Sequence, residues 1–187
     1  MTTLTKRFSE DAAIPGRSVT VSEPGYWTVL QVKSRQEKAL ANDLRVREIQ
    51  HYLPLVRRVQ AHGGRRITLE LPLFPGYLFL AGTLDDVYTA DRTRRVANII
   101  PVYDQKQLDW ELTNLRIALE GAASPDPYPF LKKGVRVEVR SGPFRGLEGL
   151  IEDRAGATRL ILQIAILGRA VSIEIDGSQL EVVEPVA

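Results

Sequence analysis

Cysteine is absent from this 187-residue chain, and histidine is almost absent, with two residues. Without thiols there is no disulfide, no thiolate nucleophile and no sulfur-ligated metal. With His51 and His62 as the whole imidazole supply, a zinc site would have to draw carboxylates from scattered places. His62, beside Gly63-Gly64, reads as a turn residue, and Asp85-Asp86 as the charge pair of a helix N-terminus. No nucleophile motif and no phosphate-cradling glycine loop occurs, so no catalytic residue, no metal and no cofactor is expected. Long apolar runs are missing too: nothing approaches the roughly 18–20 residues of a membrane span. The first 25 residues lack the apolar core of a secretion signal. The expectation is a cytoplasmic monomer without membrane contact.

Excess charge of one sign is also small overall, a net +2, but it is unevenly spread. Residues 26–120 carry 14 basic and 11 acidic side chains, whereas residues 121–187 carry 8 and 9. The surplus lies in clusters: "RRVQAHGGRR" with Arg57, Arg58, Arg65 and Arg66, "DRTRR" with Arg92, Arg94 and Arg95, and the pair Lys33 and Arg35. Such clusters permit nucleic-acid contact without demanding it.

Residues 1–25 have no sustained period and end in Pro-Gly, which predicts a flexible tail. "YWTVLQV" alternates as a strand, with Trp27, Val29 and Gln31 on one face. Ser34 and Glu37 have capping-box spacing ahead of a helix that carries Leu40 and Leu44 on one side. Pro54 marks an edge or kink in "HYLPLVRRVQ", and Gly63-Gly64 turns that strand into "ITLEL". "LFPGYLFL" then packs three rings around a Pro-Gly turn, with Tyr77 and Phe79 on one face of the outgoing strand. Thr83 and Asp86 predict a second cap and a short helix, and "VANIIPV" a short strand. Asp104 and Gln107 open a helix whose stripe is Leu108, Leu112, Leu115 and Leu119 and which Gly121 stops. This block, 26–120, is α+β, an antiparallel sheet flanked by helices.

Three prolines within 122–130 predict a linker over 121–131. Beyond it, over 132–184, the period becomes two, with five short strands separated by Gly- and Asp-rich turns, a small five-stranded SH3-like barrel.

An aromatic-led strand with Trp27, then FPGY at 74–77, a proline linker, "GPFRGLEGLI" and "LGRAVSIEIDGSQLEVV" follow in this order over roughly 26–184. This arrangement resembles the NusG family of transcription elongation and antitermination factors, and its second half resembles the KOW motif. The resemblance implies that the first domain binds the clamp coiled coil of RNA polymerase. The carriers would be Trp27, Gln31, Phe74, Tyr77 and Phe79. It implies contact with non-template DNA near the upstream fork by Lys33, Arg35, Tyr88, Thr89, Arg92, Arg94 and Arg95. It further implies that the KOW domain recruits a small-subunit ribosomal protein or the Rho termination factor through Phe144, Leu147, Leu167 and Arg169. General factors of the family carry an aromatic just before Gly-Arg-Ala; this chain has Leu167, which points to a specialised paralogue that suppresses pausing and termination. A general pausing and Rho-dependent termination factor is the second expectation, and a ribosome- or RNA-binding KOW protein the third.

Overall fold

The computed structural model describes residues 25–62, 65–121, 126–128, 135–154 and 157–183. In chain order the first part runs β1 (Tyr26–Val32), α1 (Glu37–Val46), β2 (His51–Tyr52), β3 (Leu55–His62), β4 (Arg65–Pro72), β5 (Tyr77–Gly82), α2 (Leu84–Arg92), β6 (Val96–Pro101) and α3 (Gln105–Glu120). Four strands form an antiparallel sheet in the order β2-β5-β1-β6. Alternation divides its side chains between two cores. Leu30, Val32, Leu78 and Leu80 pack with Leu40 and Leu44 of α1 and Val87 and Ala90 of α2. Val29 and Phe79 point the other way, into a core shared with Leu108, Leu112, Leu115 and Ala118 of α3.

The caps explain where the helices start. Thr83 and Asp86 form the expected capping box, with the Thr83 N–H donating to Asp86 Oδ2 at 2.8 Å. Asp104 accepts from the Gln107 N–H at 2.9 Å, and Gly121 ends α3. The expected Ser34–Glu37 box does not form. Gln36 occupies the N-cap of α1 without a side-chain capping bond. Glu37 is instead buried, and its Oε1 accepts the Gly76 N–H at 2.8 Å. A carboxylate withdrawn from water gains more from that otherwise unmet donor than from its own helix terminus.

Pro54 splits the predicted strand into β2 and β3. Among the described residues β3 and β4 pair with each other alone, from Leu55↔Pro72 to His62↔Arg65, as a two-stranded ribbon. The turn expected at Gly63-Gly64 lies outside the described residues.

The second part contains β7 (Asp126–Tyr128), β8 (Val135–Val139), β9 (Glu148–Arg154), β10 (Ala157–Ile164), β11 (Arg169–Glu174) and β12 (Leu180–Val182). They make one antiparallel sheet in the order β12-β8-β9-β10-β11-β7. The five strands predicted after the linker are present; the sixth, β7, comes from the proline-rich segment itself. It lies at the sheet edge, where proline's missing N–H costs no ladder bond. The rest of the linker, 122–125 and 129–134, and tail residues 1–24 lie outside the described residues. The fold is thus mixed α+β with antiparallel sheets and, among the described residues, three α-helices.

α3 joins the two parts. Its leucines share one apolar cluster with Val29 and Phe79 on the first sheet and with Val137, Leu147, Leu160 and Ile164 on the second.

Candidate functional site

The Phe74–Tyr77 turn is fixed by its neighbours. Gly76 has φ of +85°, which favours glycine, and its carbonyl accepts the Val32 N–H at 2.8 Å. The register that follows sets Tyr77 opposite Gln31 and Phe79 opposite Val29. The five residues singled out in this region do not form one open surface. Phe79 is fully buried and Phe74 is 3% exposed. Trp27 is half-buried, and its indole N–H donates to Asp109 Oδ1 at 3.0 Å. The Trp27 backbone N–H meets Gln105 Oε1 at 2.7 Å, so this residue braces β1 against α3. Tyr77, half-buried, and Gln31, exposed, are the two that reach the surface together.

The Tyr77 ring is covered from the second part of the chain. The Arg169 guanidinium lies 5.4 Å from its centroid, a cation–π distance. The remaining contacts between the parts run along α3. Both carboxylate oxygens of Glu111 lie 3.1 Å from the Ala165 N–H. Asn114 Oδ1 accepts the Glu148 N–H at 2.8 Å. Arg136 lies over the Trp110 ring at 4.6 Å. Phe144 sits so close to Gly121 that a Cβ there would come within 2.5 Å of its ring. Leu167, half-buried, borders the same cluster, whereas Leu147 is fully buried in it and presents no surface. Residues expected to face two different outside partners therefore face each other.

Glu111 and Asn114 were not among the candidates read from the sequence. They sit one residue before Leu112 and Leu115 of the leucine stripe, on a side of α3 that a solvent-facing helix would leave wet. Burial raises the Glu111 carboxyl above its ordinary range, although the Gln107 and Ala165 donors pull it down. A carboxyl raised on folding binds its proton more tightly in the folded chain, so folded-state stability falls as pH rises from the ordinary value through the raised one. Glu111→Gln keeps an acceptor for Ala165 without the charge. The mild-acid branch of a stability-versus-pH curve is expected to lose its downward slope in this variant, measured by urea midpoints. An unchanged slope would assign the titration to another group.

The basic candidates divide likewise. The turns before α1 and before β6 are tied together: the Lys33 N–H donates to the Arg95 carbonyl at 2.9 Å, and Lys33 Nζ to the Arg94 carbonyl at 2.7 Å. Arg35 and Arg94 both have φ of +60°, unusual for a side-chain-bearing residue, and both are exposed. Lys33, Arg35 and Arg94 thus form one patch. Arg95 is committed inside the protein, its Nε 2.8 Å from Asp43 Oδ2 and its Nη1 on Gln36. Arg92 is exposed in the last turn of α2, where Tyr88 is also half open to solvent and Thr89 is half-buried. Among the described residues no cluster of metal-ligating side chains occurs, and no helix is long and apolar enough to cross a membrane.

Residues 25–111 match the family described as transcription termination factor nusG. The transcription termination/antitermination protein NusG of Escherichia coli K12 is 28% identical over 175 residues, covering 83% of this chain and 94% of that protein. The Vibrio cholerae protein of the same name matches at the same identity and coverage. A solved structure on domain interaction in Thermotoga maritima NusG covers 85% of this chain and 97% of that one, at 19% identity and a TM-score of 0.44. With the aromatic-led β1, the FPGY turn and the antiparallel α+β sheet already in place, the match over 25–111 and the near full-length relatives at 28% identity make this chain similar to the NusG transcription factors.

Proposed function

We propose that the chain is an elongation factor that binds the clamp coiled coil of RNA polymerase with its first part and suppresses pausing and termination. Residues 132–184 act as a five-stranded KOW barrel that recruits a second factor, a small-subunit ribosomal protein or Rho. Binding energy alone shifts the polymerase away from its paused state; no bond is made or broken. The observation that carries this reading is the pairing of Gln31 with Tyr77 under the Arg169 cover. It supplies an aromatic anchor at the rim of an apolar core, the kind of group that dominates interfaces. The same cover means that the two binding faces are opposed in the free chain, so engagement requires the KOW unit to leave α3. Lys33, Arg35 and Arg94, with Arg92 and Tyr88 beyond them, then face non-template DNA.

Pull-down on an isolated polymerase clamp coiled coil tests the site. Tyr77→Ala is expected to weaken capture by about 30-fold, the equivalent of a hot spot of ~2 kcal/mol. Phe79 is left intact, because its truncation would damage the core. Equal capture of wild type and variant removes Tyr77 from the interface. The names of the relatives hold termination and antitermination together, which keeps a general Rho-dependent termination factor as the second reading. A Rho-dependent termination assay with and without the chain separates the two, since a specialised antiterminator leaves Rho release unassisted.

A further inference from the structure

The β3–β4 ribbon is used by nothing described so far. It stands apart from both larger sheets, and its two strands pair over eight residues. Within 55–72 the sequence holds four arginines against a single acid, Glu70. Register and alternation place Arg57, Val59, Thr68, Glu70 and Arg66 on one face. All five are exposed, Val59 to 63%, so none of the other described residues covers the face. Arg57 lies 3.3 Å from Glu70, but both side chains are wet, and an ion pair of this kind is readily exchanged.

Arg57 and Arg66 lie on opposite strands, four register steps apart. At about 3.4 Å per residue that separates them by roughly 13–14 Å along the ribbon. Between them lie only the small side chains of Val59 and Thr68. The major groove of B-form DNA is about 12 Å wide and admits a two-stranded β-ribbon. An arginine at each end of a slim apolar centre matches a groove bordered by phosphates on both sides. We propose that this face of the β3–β4 ribbon binds duplex DNA in its major groove, with Arg57 and Arg66 on the flanking phosphates and Val59 and Thr68 toward the base edges. The major groove of an A-form RNA duplex is too deep and narrow to admit the ribbon, so the preference is for DNA. The opposite face sets Arg58 and Arg65 among exposed Ile67, Leu69 and Leu71, a mixed surface broader in its apolar part that would suit protein instead.

The test is a salt titration of the full-length chain against a short fluorescent DNA duplex, with an RNA duplex of the same sequence alongside. The double variant R57A/R66A is expected to bind DNA about tenfold more weakly at moderate salt and to lower the slope of log affinity against log salt by about 2, one unit per lost phosphate contact. R57K/R66K restores the slope, because charge and not side-chain shape sets the counterion count. The proposal is overturned if R57A/R66A binds DNA with the wild-type slope, or if it loses RNA and DNA duplex binding equally. Unchanged DNA binding with loss of polymerase capture would overturn it too, assigning the ribbon to a protein surface.

Discussion

Phe79→Ala is expected to lower the unfolding free energy by about 3–5 kcal/mol, the range for truncating a fully buried phenylalanine. Phe79 is fully buried between Val29 of the neighbouring strand and the leucines of α3, and α3 is held on its far side by the second sheet. The cavity left behind cannot collapse without moving one of three packed layers, which puts the cost toward the upper end. Urea denaturation of the full chain checks it. Tyr77→Ala two residues earlier should shift the midpoint far less, since half of that ring already meets solvent and Arg169. The contrast separates a core role from a binding role along one strand face. Similar losses for the two substitutions would show that Tyr77 is as deeply structural as Phe79.

Replacing Glu111 and Asn114 together by alanine is expected to part the second sheet from α3. Each substitution strips the acceptor from a main-chain donor of that sheet, the Ala165 N–H and the Glu148 N–H. Leaving a donor unmet costs about 1–3 kcal/mol when fully buried; both contacts are part-buried, so the pair removes about 2 kcal/mol from the closed arrangement while leaving the interior of each sheet untouched. Because the chain has no native cysteine, labels placed at exposed Leu84 and Glu174 report the separation without background. The distance distribution should broaden and lengthen, and capture by the polymerase coiled coil should rise several-fold as Tyr77 is uncovered. A narrow, unchanged distribution would mean that the apolar contacts of Leu108, Leu112 and Leu115 hold the two parts together unaided.

Much of the first sheet was legible because its signals are local. Alternation fixed the faces of β1 and β5, and Thr83–Asp86 and Asp104–Gln107 fixed two helix starts within single turns. The Ser34–Glu37 box failed for a non-local reason: the carboxylate found a better donor in Gly76, 39 residues away. The candidate interaction residues are chosen by residue type, and the sequence says much less about their exposure. Aromatic spacing named Phe74, Tyr77 and Phe79 together, but only packing against α3 decided that Tyr77 keeps a surface and the other two do not. Leu147 was misplaced in the same way, since a leucine after a glycine turn reads alike whether it faces in or out.

The sequence by itself determined the order and type of most elements, β7 excepted, with the turn at Pro75-Gly76, the basic clusters and the likeness to the NusG family, because these signals lie in neighbours a few residues apart. Only the tertiary structure decided which of those residues are free. Whether α3 shows Glu111 and Asn114 to water or to the amides of a second sheet depends on contacts 34 and 54 residues distant. Burial is a property of what lies across the contact, and a linear pattern holds no record of which surface arrives there.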